Sequence, residues 1–207
     1  VPKVAPLYAD APRLPESEAL DLRVLFDRAS IELEIGPGRG GFVFERAAAA
    51  PESFVVGLEI RRKWAKIVDD RLRASGLGAR ARVFAEDAKV VLPRLVSGSL
   101  SQIFLHFPDP WWKKRHTKRL VMGDAALTEM ARCLRAGGQL FIQTDVEERA
   151  LLYEEQVSLE PAFVGVGGMA RHALNPYQAQ SPREKRAIHD GLPIYRLWYQ
   201  KGQSAQP

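Results

Sequence analysis

Five acidic residues, Glu34, Glu59, Asp87, Asp109 and Asp145, each follow or close a short apolar run that reads as a β-strand. In a parallel α/β sheet the ligand lies beyond the carboxyl ends of the strands, so acids placed there converge on one crevice. The chain is nevertheless basic, with 30 Lys and Arg against 25 Asp and Glu and a net charge of +5. Carboxylates converging in such a chain suit a ligand that carries positive charge and hydrogen-bond donors. Asp109 is the most constrained of the five, because it stands between Pro108 and Pro110. Proline fixes its own φ and restricts the residue before it, which holds this carboxylate on a stiff loop. Trp111, Trp112 and the run from Lys113 to Arg119 follow at once, with five Lys and Arg against one Asp between Phe107 and Leu120. A rigid acid, aromatic faces and cations together suit a purine base on a phosphate backbone. The plainer reading of the same run is a solvated basic turn after a buried strand.

The elements that must hold these groups can be read in order. Ile31 to Ile35 alternates apolar and acidic residues, then meets Gly36-Pro-Gly-Arg-Gly-Gly41 and an alanine-rich helix to Ala50. Strand, glycine turn and helix open a nucleotide-binding unit, and the glycines also fit the dinucleotide pattern G-x-G-x-x-G. Glu34 would repel a pyrophosphate there, and Pro37 lacks one backbone donor. The same acid favours a cationic ligand. S-adenosylmethionine, with its sulfonium and ammonium groups, meets that requirement, and Glu-x-Gly-x-Gly-x-Gly resembles the cofactor loop of class I methyltransferases.

Ser53 to Ile60 is the expected second strand, with Glu59 at its end as an acceptor for a ribose diol or, alternatively, an acid favoured by the next helix dipole. That helix is expected over Arg62 to Ala74, stopped by Ser75-Gly76. A third strand is expected over Ala81 to Ala85, then a helix through Val96 for which Asp87 is a natural N-cap. Gln102 to Phe107 is the fourth strand. A helix follows from Asp124 to Leu134, ended by Gly137-Gly138, then a fifth strand over Gln139 to Thr144 and a helix over Val146 to Val157. Ala162 to Val166 and Ile194 to Gln200 are further strand candidates, separated by a long polar loop from Gly167 to Pro193. Loops of that length inside a domain are functional or disordered.

The bulk properties bound the function. The chain has 207 residues, 46% hydrophobic and 27% charged, enough for one core. The four prolines among residues 1–15 suggest an extended or flexible arm over residues 1–20, before a single domain over 21–201 and a tail at 202–207. A pI near 9.5 suits an anionic partner. No apolar run reaches the roughly 20 residues of a membrane span, and no signal-peptide core opens the chain, so a cytoplasmic location with no membrane partner is expected. Cys133 is the one cysteine, and the histidine spacing offers no zinc site. A magnesium site is the rival account of the clustered carboxylates.

Phe107 to Arg119 carries a longer signature. Phe-Pro-Asp-Pro-Trp-x-Lys-x-Arg-His-x-Lys-Arg resembles that of bacterial tRNA (guanine-N7)-methyltransferases along its whole length. The resemblance implies a Rossmann-like α/β fold with a mostly parallel seven-stranded sheet flanked by helices and an antiparallel C-terminal strand. It implies S-adenosylmethionine as cofactor, S-adenosylhomocysteine as product and tRNA as partner, with methylation at N7 of a variable-loop guanosine by a monomer or homodimer. Cofactor binding would fall to Glu34, Gly36, Gly38, Gly40, Glu59, Asp87 and Asp109, and catalysis to Asp109. Substrate binding would fall to Lys113, Asp145 and the segment Ser181-Pro182-Arg183-Glu184, with Arg115, His116, Lys118 and Arg119 as phosphate or base contacts. That segment resembles the family's Thr-x-x-Glu-x-Arg, with Ser181 in place of threonine. Trp111 would stack on the base or pack in the core. An exocyclic-amine methyltransferase, an NAD-dependent oxidoreductase and a non-catalytic RNA-binding module are the competing readings.

Overall fold

The computed structural model describes residues 7–108 and 123–202; Asp109, Trp111, Lys113, Arg115, His116, Lys118 and Arg119 lie outside them. The elements run α1 (Leu22–Phe26), β1 (Ile31–Ile35), α2 (Gly41–Ala49), β2 (Phe54–Leu58), α3 (Arg62–Ala74), β3 (Ala81–Phe84) and α4 (Ala88–Val91). They continue with β4 (Leu100–His106), α5 (Asp124–Cys133), β5 (Leu134–Thr144), α6 (Glu147–Ser158), β6 (Phe163–Gly165), β7 (Arg171–His172), α7 (Pro182–His189) and β8 (Tyr195–Lys201). One sheet of eight strands results, ordered β3-β2-β1-β4-β5-β8-β6, with β7 also paired to β8. Strands β1 to β5 are parallel and β8 is antiparallel to β5. The order reverses between β1 and β4, which is where an open α/β sheet leaves its ligand crevice.

Register divides the sheet into two chemically different faces. Leu33, Ile103, Leu140 and Ile142 belong to the aliphatic core, completed by Leu197 and Tyr199 of β8. The residues between them on each strand point the other way. Glu32 and Glu34 on β1 neighbour Gln102 and Phe104 on β4, which neighbour Gln139 and Phe141 on β5. This second face is polar and aromatic, yet buried, since Phe42, Phe104, Phe141, Tyr177 and Ala179 form their own cluster. Several of its polar groups are paired with residues that cover it: Arg46 of α2 donates to both Glu32 oxygens at 2.7 and 2.6 Å, and Tyr177 Oη donates to Gln102 and Gln139 at 3.0 and 3.1 Å. A buried acid is tolerated only with such partners.

Several expectations change. The sheet gains an eighth strand because two residues, Arg171–His172, pair with β8. The stretch from Gly167 to Pro193 is not one long loop: it holds β7 and α7, and the helix is started by Ser181, whose Oγ accepts from Glu184 N at 3.1 Å, with Pro182 at its first turn. The helix after Asp87 ends as a short 3₁₀ turn, Leu92–Arg94, with Pro93 inside it. Helix α5 stops at Cys133, where Leu134 turns extended, so Gly137 and Gly138 do not cap it. They shape an irregular step of β5, where a Cβ on Gly138 would lie 2.9 Å from Arg135 O and 3.2 Å from Leu100 O. Within the N-terminal segment, Ala11 and Leu14 are buried, Pro12 O accepts from Ala85 N at 2.7 Å and Leu20 bridges to Leu95. No helix among the described residues is long and apolar enough to cross a membrane.

Candidate cofactor and substrate crevice

The glycine turn leaves β1 beside β2, with Gly36 N donating to Leu58 O at 2.9 Å. Gly36, Gly38 and Gly40 all have positive φ, a region that other residues adopt at a cost. Gly40 is required for a second reason: a Cβ there would sit 2.3 Å from Val68 Cγ1 on α3. The next residue, Gly41, faces α7 in the same way, with Pro182 Cγ 2.5 Å from its would-be Cβ. The loop that opens α2 and the segment Ser181 to Glu184 are thereby brought together from opposite ends of the chain.

Glu59 lies just past β2, its side chain 3% exposed. Its Oε2 accepts from Gly38 N at 2.9 Å and its Oε1 from Arg61 N and Nε at 3.0 and 2.9 Å. The acid expected at a ribose therefore already grips the glycine turn, and Arg61 lies across it. The carboxylate's hydrogen bonds raise the Arg61 pKa still further. Asp87 caps α4 through Lys89 N at 2.9 Å and lines a cleft of about 250 Å³ with Arg13, Ile60, Arg62, Ala85, Glu86 and Val90. Its neighbour Glu86 is engaged elsewhere, accepting from Arg13 Nε and Nη2 at 2.7 and 3.0 Å and from Leu14 N at 3.1 Å. Ile60 and Val90 are exposed apolar walls of this cleft. An apolar slot with a carboxylate at its rim can take a flat heterocycle and a hydrogen bond from its edge.

A row of polar side chains lies across β1, β4 and β5 toward their carboxyl ends. Glu34 Oε1 is 2.8 Å from His106 Nδ1, and His106 is in register with Gln143. Glu34 Oε2, His106 Nε2 and both amide atoms of Gln143 are buried without a hydrogen-bond partner among the described residues. Buried polar atoms are normally paired, and groups left over in a crevice are those a polar ligand or ordered water satisfies. The donor-poor glycine turn beside Glu34 suits a positively charged adenosyl compound, so these residues fit S-adenosylmethionine.

Strand β4 leaves this row through Phe107, whose φ of 49° is a strained left-handed conformation for an aromatic residue. Phe107 N still donates to Gln143 O at 2.8 Å, so the strand pairing continues one residue past His106. Asp145, at the end of β5, is ion-paired with Arg183, so two residues expected to bind substrate meet each other. Ser181 and Glu184 of the same segment face inward. Glu184 is fully buried and accepts from Arg196 Nη2 at 2.8 Å and Asn175 Nδ2 at 2.9 Å.

Sequence reasoning passed over His106, Gln143, Arg61 and Ile60. The signal for the first two was available: polar residues at the last inward positions of otherwise apolar strands. Nothing local marks Arg61, whose role arises from the fold of Glu59 back onto the glycine turn.

Residues 28–197 match the family model described as "Putative methyltransferase". The chain is 40% identical over 182 residues to a tRNA (guanine-N(7)-)-methyltransferase of Anaeromyxobacter dehalogenans, covering 86% of this chain and 89% of that one. It is 37% identical over 170 residues to the enzyme of the same name from Myxococcus xanthus, covering 80% and 81%. Among solved structures, the 16S rRNA methyltransferase KamB superposes with a TM-score of 0.64 at 15% identity, over 93% of this chain and 98% of that chain. A SAM-dependent O-methyltransferase of Thermotoga maritima gives 0.57 at 16% identity, over 90% and 65%. These two establish the class I methyltransferase fold.

Proposed function

We propose that this chain, which belongs to the tRNA (guanine-N7)-methyltransferase family, transfers a methyl group from S-adenosylmethionine to N7 of a guanosine in the variable loop of tRNA, in the cytoplasm. The observation that supports the reading is the β1/β4 reversal of the sheet order, beside which the glycine turn, Glu34 and Glu59 lie together and at which β4 leads into Phe107 and Pro108.

When bound, the cofactor supplies an electrophilic methyl group on sulfonium. Transfer would join that methyl group to the guanine N7 lone pair and break the donor's S–C bond, giving S-adenosylhomocysteine and a cationic N7-methylguanine. No proton has to be removed from N7, so the protein's task is alignment, which can be worth roughly 7–11 kcal/mol. Gly36, Gly38 and Gly40 would let the backbone approach the cofactor, Glu59 would take the ribose once Arg61 moves aside, and Ile60 and Asp87 would hold the adenine. Asp109 would accept from the N1–H and N2 amino edge of guanine and so fix the face presented. Asp145, freed from Arg183, would take a second donor of the nucleoside beside Lys113, while Arg115, His116, Lys118 and Arg119 would contact phosphates or the base. Ser181 and Glu184 act by shaping α7 so that Pro182 and Arg183 stand at the rim.

Labelled S-adenosylmethionine with unmodified tRNA, followed by cleavage at N7-methylguanosine, tests this directly. A cut in the variable loop is the expected result. Label in tRNA without that cut would favour methylation of an exocyclic amine, and no label with cofactor bound would favour an RNA-binding module. Asp109→Ala should lower turnover more than tRNA affinity; a loss confined to affinity would remove Asp109 from catalysis.

A further inference from the structure

Glu34 and His106 form a buried pair, each side chain 3% exposed. A carboxylate only accepts, so His106 Nδ1–H donates to Glu34 Oε1 at 2.8 Å. The ring has little freedom. Phe42, from the helix that follows the glycine turn, lies 4.1 Å away between centroids, and Phe104 stacks at 5.7 Å with planes 13° apart. His106 is thus clamped between α2 and β4, and it in turn clamps one oxygen of Glu34. The other oxygen, Oε2, has no partner among the described residues. A histidine chosen for packing alone would be a poor choice here, since an aliphatic residue would fill the same aromatic slot without burying an unpaired nitrogen.

We propose that His106 is a positioning residue for the methyl donor: its Nδ1–H fixes the Glu34 carboxylate so that Oε2 remains available to the ammonium group at the cofactor's amino-acid end. The inference rests on the S-adenosylmethionine reading above. Of the cofactor's cationic and donor groups, the ribose is assigned to Glu59 and the adenine edge to Asp87. That leaves the ammonium and the sulfonium, and only the ammonium can donate a hydrogen bond to a carboxylate oxygen.

The test compares binding of S-adenosylhomocysteine with that of its desamino analogue, which keeps the carboxylate but lacks the ammonium, by calorimetry without tRNA. The wild-type chain should prefer S-adenosylhomocysteine. His106→Leu should weaken S-adenosylhomocysteine by about tenfold, as for loss of a charge-assisted hydrogen bond, and leave the analogue within about twofold. His106→Gln, whose amide can still donate, should recover part of the preference, and Glu34→Gln should abolish it. Equal losses for both ligands, or no loss for either, would overturn the proposal by reducing His106 to packing. Should His106→Leu not fold, the Gln variants decide: the preference must survive at His106 and vanish at Glu34. A wild-type chain that binds neither ligand would sink the cofactor reading itself, a result distinct from any pattern among the variants.

Discussion

Gly41 at the start of α2 and Pro182 at the start of α7 are in direct contact, and a Cβ on Gly41 would lie 2.5 Å from Pro182 Cγ and 2.6 Å from its Cδ. A proline ring cannot swing away as a long side chain can, so the contact locks the cofactor turn to the C-terminal segment. Gly41→Ala should therefore destabilise the fold by about 1–3 kcal/mol, the usual cost of overpacking. It should also weaken both cofactor and tRNA binding. A thermal melt and separate binding titrations check it; a variant defective toward one ligand alone would mean the two regions are independent.

Glu184 is the residue where a structural role and a substrate role are most easily separated. It is fully buried, with Arg196 at 2.8 Å and Asn175 at 2.9 Å. Removing one partner of a buried ion pair strands the other charge, so Glu184→Ala should cost about 3–5 kcal/mol in chemical denaturation. Arg183→Ala, by contrast, removes a half-exposed side chain from Asp145 and should change stability by less than about 1 kcal/mol. Similar stabilities for the two variants would argue that Glu184 is held for substrate and not for the fold.

The difference between these neighbours shows what the sequence makes legible. Helix α3 begins at Arg62 and ends at Ala74 as its spacing predicts, because its apolar stripe and its terminator at Ser75-Gly76 are local signals. The glycine turn and the strand-end acids Glu34 and Glu59 are likewise local. Helix α7 was hidden: its eight residues include just two apolar ones besides proline, Ala187 and Ile188, and its stabilising pairs reach Asn175 and Arg196, outside the helix. The same holds for His106, whose meaning depends on an acid 72 positions away. Long-range pairing, not periodicity, positions these groups, and a linear reading has no access to it.

Arg61 occupies the acid expected at the ribose, from a guanidinium that is 61% exposed. Ligand binding must displace that contact, so the ion pair, open to solvent on its arginine side, competes with the cofactor. Solvent screening keeps such a pair to about 1 kcal/mol or less, and Arg61→Ala should accordingly tighten cofactor binding by up to about fivefold. Glu59→Ala should weaken it strongly. Calorimetric titration of the two variants checks this; weaker binding in Arg61→Ala would show that the guanidinium helps hold the ligand.

Lys118 and Arg119 lie outside the described residues, and the salt dependence of binding reads their role. Each phosphate contact on a nucleic acid contributes about 0.7–0.9 to the slope of log affinity against log salt. The double variant Lys118→Ala, Arg119→Ala should weaken tRNA binding and lower that slope by up to about two. An unchanged slope would remove both from the phosphate contacts.

Cys133 provides a prediction on stability alone. It is fully buried at the end of α5, with Sγ 3.5 Å from Leu92 O, and burial pushes its thiol up from an ordinary 9.0 to about 11. The folded state thus favours the protonated thiol, and the unfolded chain ionises first as pH rises. The contribution is fully present below pH 9 and is lost progressively between pH 9 and about 11. Stability falls by about 1.4 kcal/mol for each pH unit crossed in that window, a total loss of about 2–3 kcal/mol. Tyr177 and Tyr199 are also pushed up by burial and add to the decline above pH 10. Cys133→Ala should therefore be less stable than the wild type at neutral pH, through the small cavity it leaves, but should lose stability less steeply from pH 9 to 10. Urea unfolding across that range measures both slopes, and parallel curves would show that the thiol does not titrate differently in the two states.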